Sequence, residues 1–298
     1  IEREGKCAHI HLLARWRGGE VARWRFPPFT TTYEARVWVG QIMGASEKRD
    51  AFMVQTKVQL KTWRVMLLAL MDTICNDQTR ASTVARCSEL THVYQFGVFT
   101  GRSLKGMARH GSFSPRVKAF WGFDSFSGMP NEFAAADKRE SKLAEAFPKG
   151  MFDVGELLSK DTKLTPVQAV SAFVNDTRST LIPGFYDATL TANLAGTRGM
   201  RPALYVDIDC DVYSSSITAL RWLLKSNIIV PGTVVGYDDW KYGGSGSDSQ
   251  LMGEPRAHAE VTKEFGLEWR SINVGKSQAA FQLLSRKDTQ PTKWPFLG

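Results

Sequence analysis

The chain has 298 residues, of which 43% are hydrophobic and 23% charged, and its formal net charge is +8. Those proportions are ordinary for globular domains and exclude collagen, coiled coil and extended disorder as readings of the whole. The length fits one large α/β domain or two small ones. No apolar run reaches the roughly 18–20 uncharged residues of a membrane helix; the nearest, residues 65–75, contains Asp72.

No basic-then-apolar-then-small leader follows Ile1. The cysteines Cys7, Cys75, Cys87 and Cys210 form neither a C-x-x-C pair nor a zinc spacing. Reduced thiols and a cytoplasmic location are expected. The basic residues are scattered, apart from a stretch where Arg15-Trp16-Arg17 and Arg23-Trp24-Arg25 interleave arginine with tryptophan. Such a stretch suits a solvated or partner-facing arm better than a nucleic-acid face.

Across residues 1–50, Trp, Arg, Gly18-Gly19 and Pro27-Pro28 alternate without a sustained period. Over residues 51–76 the apolar positions Met53, Val54, Val58, Leu60, Trp63, Met66, Leu67, Leu70, Met71 and Ile74 recur at helical spacing. One long amphipathic helix or two shorter ones are expected, so residues 1–90 form an N-terminal arm with helices. These apolar helices could also serve a homodimer.

From residue 91 the texture changes. Strands are expected at 92–96, 117–123, 180–183, 203–208, 228–237 and 279–285, and helices at 103–110, 214–225 and 255–265. Alternating strands and helices predict an α/β domain over 91–298, with a mainly parallel sheet covered on both faces. Residues 131–175 interrupt the alternation and are read as a lid or substrate-binding insertion with a helix near 165–173. Ligands of such sheets gather at the C-terminal strand ends, where this chain places glycines and acids.

The first of these ends is Gln95-Phe96-Gly97-Val98-Phe99-Thr100-Gly101-Arg102-Ser103, a strand running through paired glycines into a helix. Glycines permit a sharp turn and close ligand approach, and the new helix offers unpaired amide groups. The second is Asp124, 27 positions after Gly97. An acid at that spacing is placed to accept ribose hydroxyls of a nucleoside cofactor. The third is Asp207-Ile208-Asp209-Cys210-Asp211, where alternate carboxylates share a face if the strand persists. Alternatively, the strand ends near Ile208 and the acids splay into solvent. Asp238-Asp239 ends the next strand. Convergent carboxylates of this kind suit a hard divalent cation.

Together, Gly97-Val98-Phe99-Thr100-Gly101, Gly122 to Pro130, Lys149-Gly150-Met151-Phe152, Gly184 to Leu190, Asp209 to Ser216 and Pro231 to Asp239 resemble class I S-adenosylmethionine-dependent methyltransferases of the macrocin O-methyltransferase-like group. The match runs in order across residues 91–286. The resemblance implies a Rossmann-like sheet with S-adenosylmethionine over the glycine loop. Gln95, Gly97, Val98, Phe99, Thr100, Gly101 and Ser103 would then lie at the cofactor. Asp124 would hold its ribose, with Ser125 and Phe126 beside the adenosine and Gly184 and Phe185 near the adenine.

The resemblance also implies Mg²⁺ on Asp209, Asp238 and Asp239, gripping a hydroxyl of a sugar or other small natural-product-like acceptor. Methyl transfer to that hydroxyl requires a nearby carboxylate to take its proton; Asp209 is the first candidate for the catalytic base, with Asp211 behind it. Two departures stand out: Gln95 replaces an acid usual in the family, and Asp207 is an additional acid. A metal-dependent glycosyltransferase using the D-x-D acids, and a non-catalytic binding protein on the same fold, are the competing readings. Neither a membrane nor nucleic acid is expected as partner.

Overall fold

The computed structural model describes residues 8–15, 21–29, 37–38, 53–54, 64, 67–68, 71, 88–110, 117–130, 140, 148–158, 163–245, 247–274 and 277–287. Strands β1 (Ala8–Arg15) and β2 (Val21–Phe29) form an antiparallel hairpin, and β3 (Val37–Trp38) pairs with β4 (Met53–Val54). The N-terminal part is therefore not helical throughout. Met53 and Val54, expected in a helix, lie in a strand, whereas Arg64, Leu67, Leu68 and Met71 are helical. The remainder of the expected helix over 51–76 lies outside the described residues.

The main body is a seven-stranded sheet. Its strands are β5 (His92–Phe96), β6 (Ala119–Asp124), β7 (Ser179–Pro183), β8 (Ala203–Ile208), β9 (Val234–Tyr237), β10 (Leu267–Ile272) and β11 (Ala279–Arg286). They lie in the order β10-β11-β9-β8-β5-β6-β7. Strands β5 to β9 are parallel; β11 runs antiparallel to both β9 and β10. This is the Rossmann-like, mainly parallel sheet expected from the alternation of elements.

Helices α1 (Arg102–His110), α2 (Pro166–Val174), α3 (Tyr213–Lys225) and α4 (Gly253–Glu264) accompany the sheet. Central strands β5 and β8 are buried at every position, as expected where helices cover both faces. Tyr94, Phe96 and Ile208 pack with Leu220 and Leu223 of α3 on one face. Val93 and Tyr205 pack on the other with Leu104 and Met107 of α1 and with Leu67, Leu68 and Met71. Gln95 and Asp207, two residues along from Val93 and Tyr205, share this second face, and they are register partners.

Several boundaries differ from the sequence pattern. The apolar run 228–237 becomes a strand only at Val234. Gly232 turns at φ +104° and Thr233 N–H closes back onto the Val230 carbonyl, so Ile228 and Ile229 are buried in a connection. Strand β10 was not expected; it is an edge strand buried mainly at its two ends. In the insertion, Thr165 caps α2 through a capping box with Gln168, as the pattern near residue 165 requires. Residues 131–139, 141–147 and 159–162 of the insertion lie outside the described residues. Among the described residues, no helix is long and apolar enough to cross a membrane.

His92 opens β5 and is buried. Its Nδ1 accepts hydrogen bonds from Trp121 Nε1 (3.0 Å) and the Arg201 amide (3.1 Å). A ring nitrogen engaged as acceptor cannot take a proton without losing both bonds. Burial, aided by the Arg201 charge, pushes its pKa down to about 4. The unfolded chain therefore binds the proton first. Stability is full above about pH 6.5 and falls as pH drops toward 4, by up to about 1.4 kcal/mol per pH unit. Urea midpoints measured between pH 7 and 5 should fall more steeply for the wild type than for His92→Gln, whose amide oxygen keeps an acceptor. Equal slopes would remove His92 as the cause.

Candidate active site

The glycine turn is built by backbone contact. Gly97 follows β5 at φ +84°, and a Cβ there would sit 1.7 Å from the Asp209 carbonyl oxygen. Its amide donates to the Phe123 carbonyl (2.9 Å), while the Asp209 amide donates to Phe96 (2.9 Å). Three strand ends are thus drawn together around a residue without a side chain. Gly101 turns at φ +77° and lies against Val170 and Val174 of α2, so the helix of the insertion rests on the turn.

Asp124 fastens this loop. Its Oδ2 accepts the amides of Val98 and Phe99 at 2.7 Å each, and its Oδ1 accepts the Phe126 amide at 2.6 Å. These charge-assisted bonds hold Phe99 and Phe126 at positive φ, +48° and +56°. The acid read from the sequence as a ribose ligand is therefore also the residue that shapes the turn.

A cavity of about 690 Å³ opens at the C-terminal edge of the sheet. Of the residues expected at a cofactor, Gly97, Phe99, Asp124, Ser125, Gly184 and Phe185 line it, and Asp209 does so from another wall together with Cys210 and Asp211. Gln95, Val98, Thr100, Gly101, Ser103 and Phe126 stand behind that lining; Gln95 is fully buried. Phe152, from the insertion, meets Phe99 edge-to-face at 5.3 Å and adds to the apolar wall. Glycine turn and acids thus share one cavity.

Strand β8 ends at Ile208, with Asp207 wholly buried inside it, and the Asp209 that follows does not splay into solvent but keeps only 27% of its side chain exposed. Asp238 follows β9, its amide donating to the Ile208 carbonyl, so the neighbouring strands do bring the two acid groups together. Into this group projects Arg64, itself only 7% exposed. Its Nε meets Asp207 Oδ2 at 2.6 Å, and its Nη2 meets Asp209 Oδ2 at 2.7 Å and Asp238 Oδ2 at 3.4 Å. Asp207 also accepts the Gln95 amide (2.9 Å) and the Tyr205 hydroxyl (2.9 Å).

The charges follow from this packing. Burial disfavours the guanidinium, but Asp207, Asp209 and Asp238 outweigh it and raise the pKa of Arg64. Burial raises Asp207 and Asp209 above the ordinary carboxylate range, while Arg64 pulls both back. Asp211 is pushed up to about 10, by burial first and then by Asp239, to which it is hydrogen-bonded. Asp211 therefore carries a proton at neutral pH and gives Asp239 a hydrogen-bond donor. Glu254, buried beside them, accepts the Asp239 amide at 3.0 Å and is raised well above its ordinary value, first by burial.

The arrangement does not fit the expected Mg²⁺ on Asp209, Asp238 and Asp239. A cation bridging Asp209 and Asp238 must stand about 2.0–2.6 Å from their oxygens, and Nη2 of Arg64 stands against both. Asp239 is bonded to Asp211 instead. Among the described residues, no group of three or more histidine, cysteine or acidic side chains is placed to hold a metal ion.

Arg64 and Glu254 are the site residues that motif reading missed. The available signal for Arg64 was its spacing: it stands three, four and seven positions before Leu67, Leu68 and Met71, on their buried face.

No family model matches the chain, and no curated protein matches it in sequence. Solved structures do resemble it. The O-methyltransferase NovP is 16% identical over 74% of this chain and 80% of its own, with a TM-score of 0.48. The calicheamicin methyltransferase CalS11 is 18% identical over 73% and 78%, with a TM-score of 0.47. The O-methyltransferase TomG from Streptomyces achromogenes, solved in complex with SAM, is 16% identical over 73% and 79%, with a TM-score of 0.37.

Proposed function

We propose that this chain is an S-adenosylmethionine-dependent O-methyltransferase acting on a hydroxyl of a sugar or other small natural-product-like acceptor. The observation that carries this reading is the single cavity in which a strained glycine turn faces carboxylates of the neighbouring strand end. The turn fits the cofactor in that Gly97 borders the cavity without a side chain and Asp124 lines it beside the turn; behind them the buried Oε1 of Gln95 lacks a partner among the described residues. Ser125, Gly184 and Phe185 would flank the nucleoside. When bound, S-adenosylmethionine supplies an electrophilic methyl group on a sulfonium.

The chain's own residues then have two tasks. Asp209 reaches the cavity beyond its contact with Arg64 and accepts the proton of the acceptor hydroxyl as general base. Phe99 and Phe152 form an apolar wall of the cavity against which the acceptor is oriented for in-line attack. The D-x-D glycosyltransferase reading is weakened, because the Asp207 oxygens already face Arg64, Gln95 and Tyr205.

The test is titration with S-adenosylhomocysteine by calorimetry, followed by transfer of labelled methyl groups to hydroxyl acceptors. Saturable binding is expected in wild-type protein, and its absence would sink the proposal. Asp124→Ala removes the acceptor of three backbone amides, each charge-assisted bond contributing about 1.5–3 kcal/mol. It should weaken this binding by at least about tenfold, since 1.4 kcal/mol corresponds to that factor. Unchanged affinity in Asp124→Ala would show that the turn and its acid have no part in the cofactor site.

A further inference from the structure

We infer that Arg64 is a built-in cation that takes the place of a divalent metal at the acid cluster and positions Asp209 for its reaction. The observation is a planar fork spread across carboxylates from two strand ends: Nε on Asp207, and Nη2 on Asp209 with Asp238 beyond it. A guanidinium keeps its charge at every working pH and holds its donors in fixed directions. It therefore supplies, without a metal, both the neutralising charge and the fixed direction that the cluster needs.

Asp207 is the anchor of this device. It is wholly buried, and its remaining contacts, Gln95 and Tyr205, are neutral donors. Arg64 is the cationic side chain it meets. Such a pair is worth retaining where it fixes a geometry, since burying two charges gives little net stability. Here the pair holds the helical face of Leu67, Leu68 and Met71 in register with the sheet. It also presents Nη2 to Asp209 at the cavity wall. Asp209 Oδ2 is held by Arg64, which orients the carboxyl group for an acceptor. The uncharged Gln95 completes the arrangement. An acid there would face Asp207 directly across the strand pair, where Gln95 instead donates an amide to it at 2.9 Å.

This assignment rests on the methyl-transfer reading for the identity of the reaction but not for the cation itself, and the two are separable by experiment. The probe is Mn²⁺, which carboxylate sites accept in place of Mg²⁺, counted by electron paramagnetic resonance on the full chain. Wild-type protein is expected to bind no stoichiometric Mn²⁺ at millimolar concentration. Arg64→Met should gain one site, at least about tenfold tighter, on Asp209 and Asp238.

Because Arg64→Met leaves Asp207 buried without its partner, the double variant Asp207→Asn/Arg64→Met is measured alongside. It removes both buried charges and leaves the outer carboxylates in place. Stoichiometric Mn²⁺ binding by the wild type overturns the inference. So does failure of a folded variant, single or double, to gain the site, since the carboxylates would then not be a masked cation site. Methyl transfer by the wild type should be unchanged by EDTA, and loss of turnover on chelation also overturns the inference. Absence of S-adenosylhomocysteine binding overturns the methyl-transfer reading instead and leaves the Mn²⁺ count intact.

Discussion

Gly97→Ala is expected to leave little folded protein. The added methyl group would lie 1.7 Å from the backbone oxygen of Asp209, and the neighbour is main chain that no side-chain rotation can move. The residue also adopts φ +84°, which disfavours any side chain by about 1–2 kcal/mol. Overpacking at a site that cannot relax adds roughly 1–3 kcal/mol or more. Together these come to about 2–5 kcal/mol, and to more where the backbone cannot yield, against a typical domain stability of about 5–15 kcal/mol. Relief requires the end of β5 to part from the start of the acid ridge, which also opens the cavity. The checks are a thermal melt and calorimetry with S-adenosylhomocysteine. A variant within about 1 kcal/mol of wild type would mean that the close approach at Gly97 does not hold the strand ends together.

Asp209→Asn should leave a folded, cofactor-binding protein that is almost inert. Asparagine keeps the shape of the side chain and can still offer an oxygen to Arg64, so the melting temperature and S-adenosylhomocysteine affinity should change little. What is lost is the capacity to accept a proton. Removal of a general base costs roughly 10²–10⁴-fold in turnover, and kcat is expected to fall by at least about a hundredfold at saturating acceptor. A decrease smaller than about tenfold would remove Asp209 from proton transfer. Asp211 would not replace it, because its carboxyl group is engaged by a hydrogen bond with Asp239.

The parts of the fold legible in the sequence are those governed by local pattern. Strands β5 and β8 are short apolar runs ending at a glycine or acids, and both lie where the pattern put them because each is covered on both faces. Helices α1 and α3 begin within a residue of expectation. Other elements depended on partners. Strand β2 contains Pro27-Pro28, residues that cannot donate to a ladder and argue against a strand. It forms by pairing with β1. Strand β10 has an edge position, so its apolar signal is weak, and it forms against β11. The run 228–237 carried enough apolar residues for a long strand, but Gly232 and its turn divided it.

By itself, the sequence determined the glycine turn, the acids at the strand ends and their order along the chain, because each depends on residue type within a few positions. Tertiary structure decided what those acids face. Arg64 and Asp207 are 143 positions apart, and no spacing within either segment announces their contact. The choice between a metal and a guanidinium is made when a helix carrying one buried charge docks on a sheet carrying another. Burial makes an uncompensated charge costly on either surface, and pairing them is how this fold meets that cost.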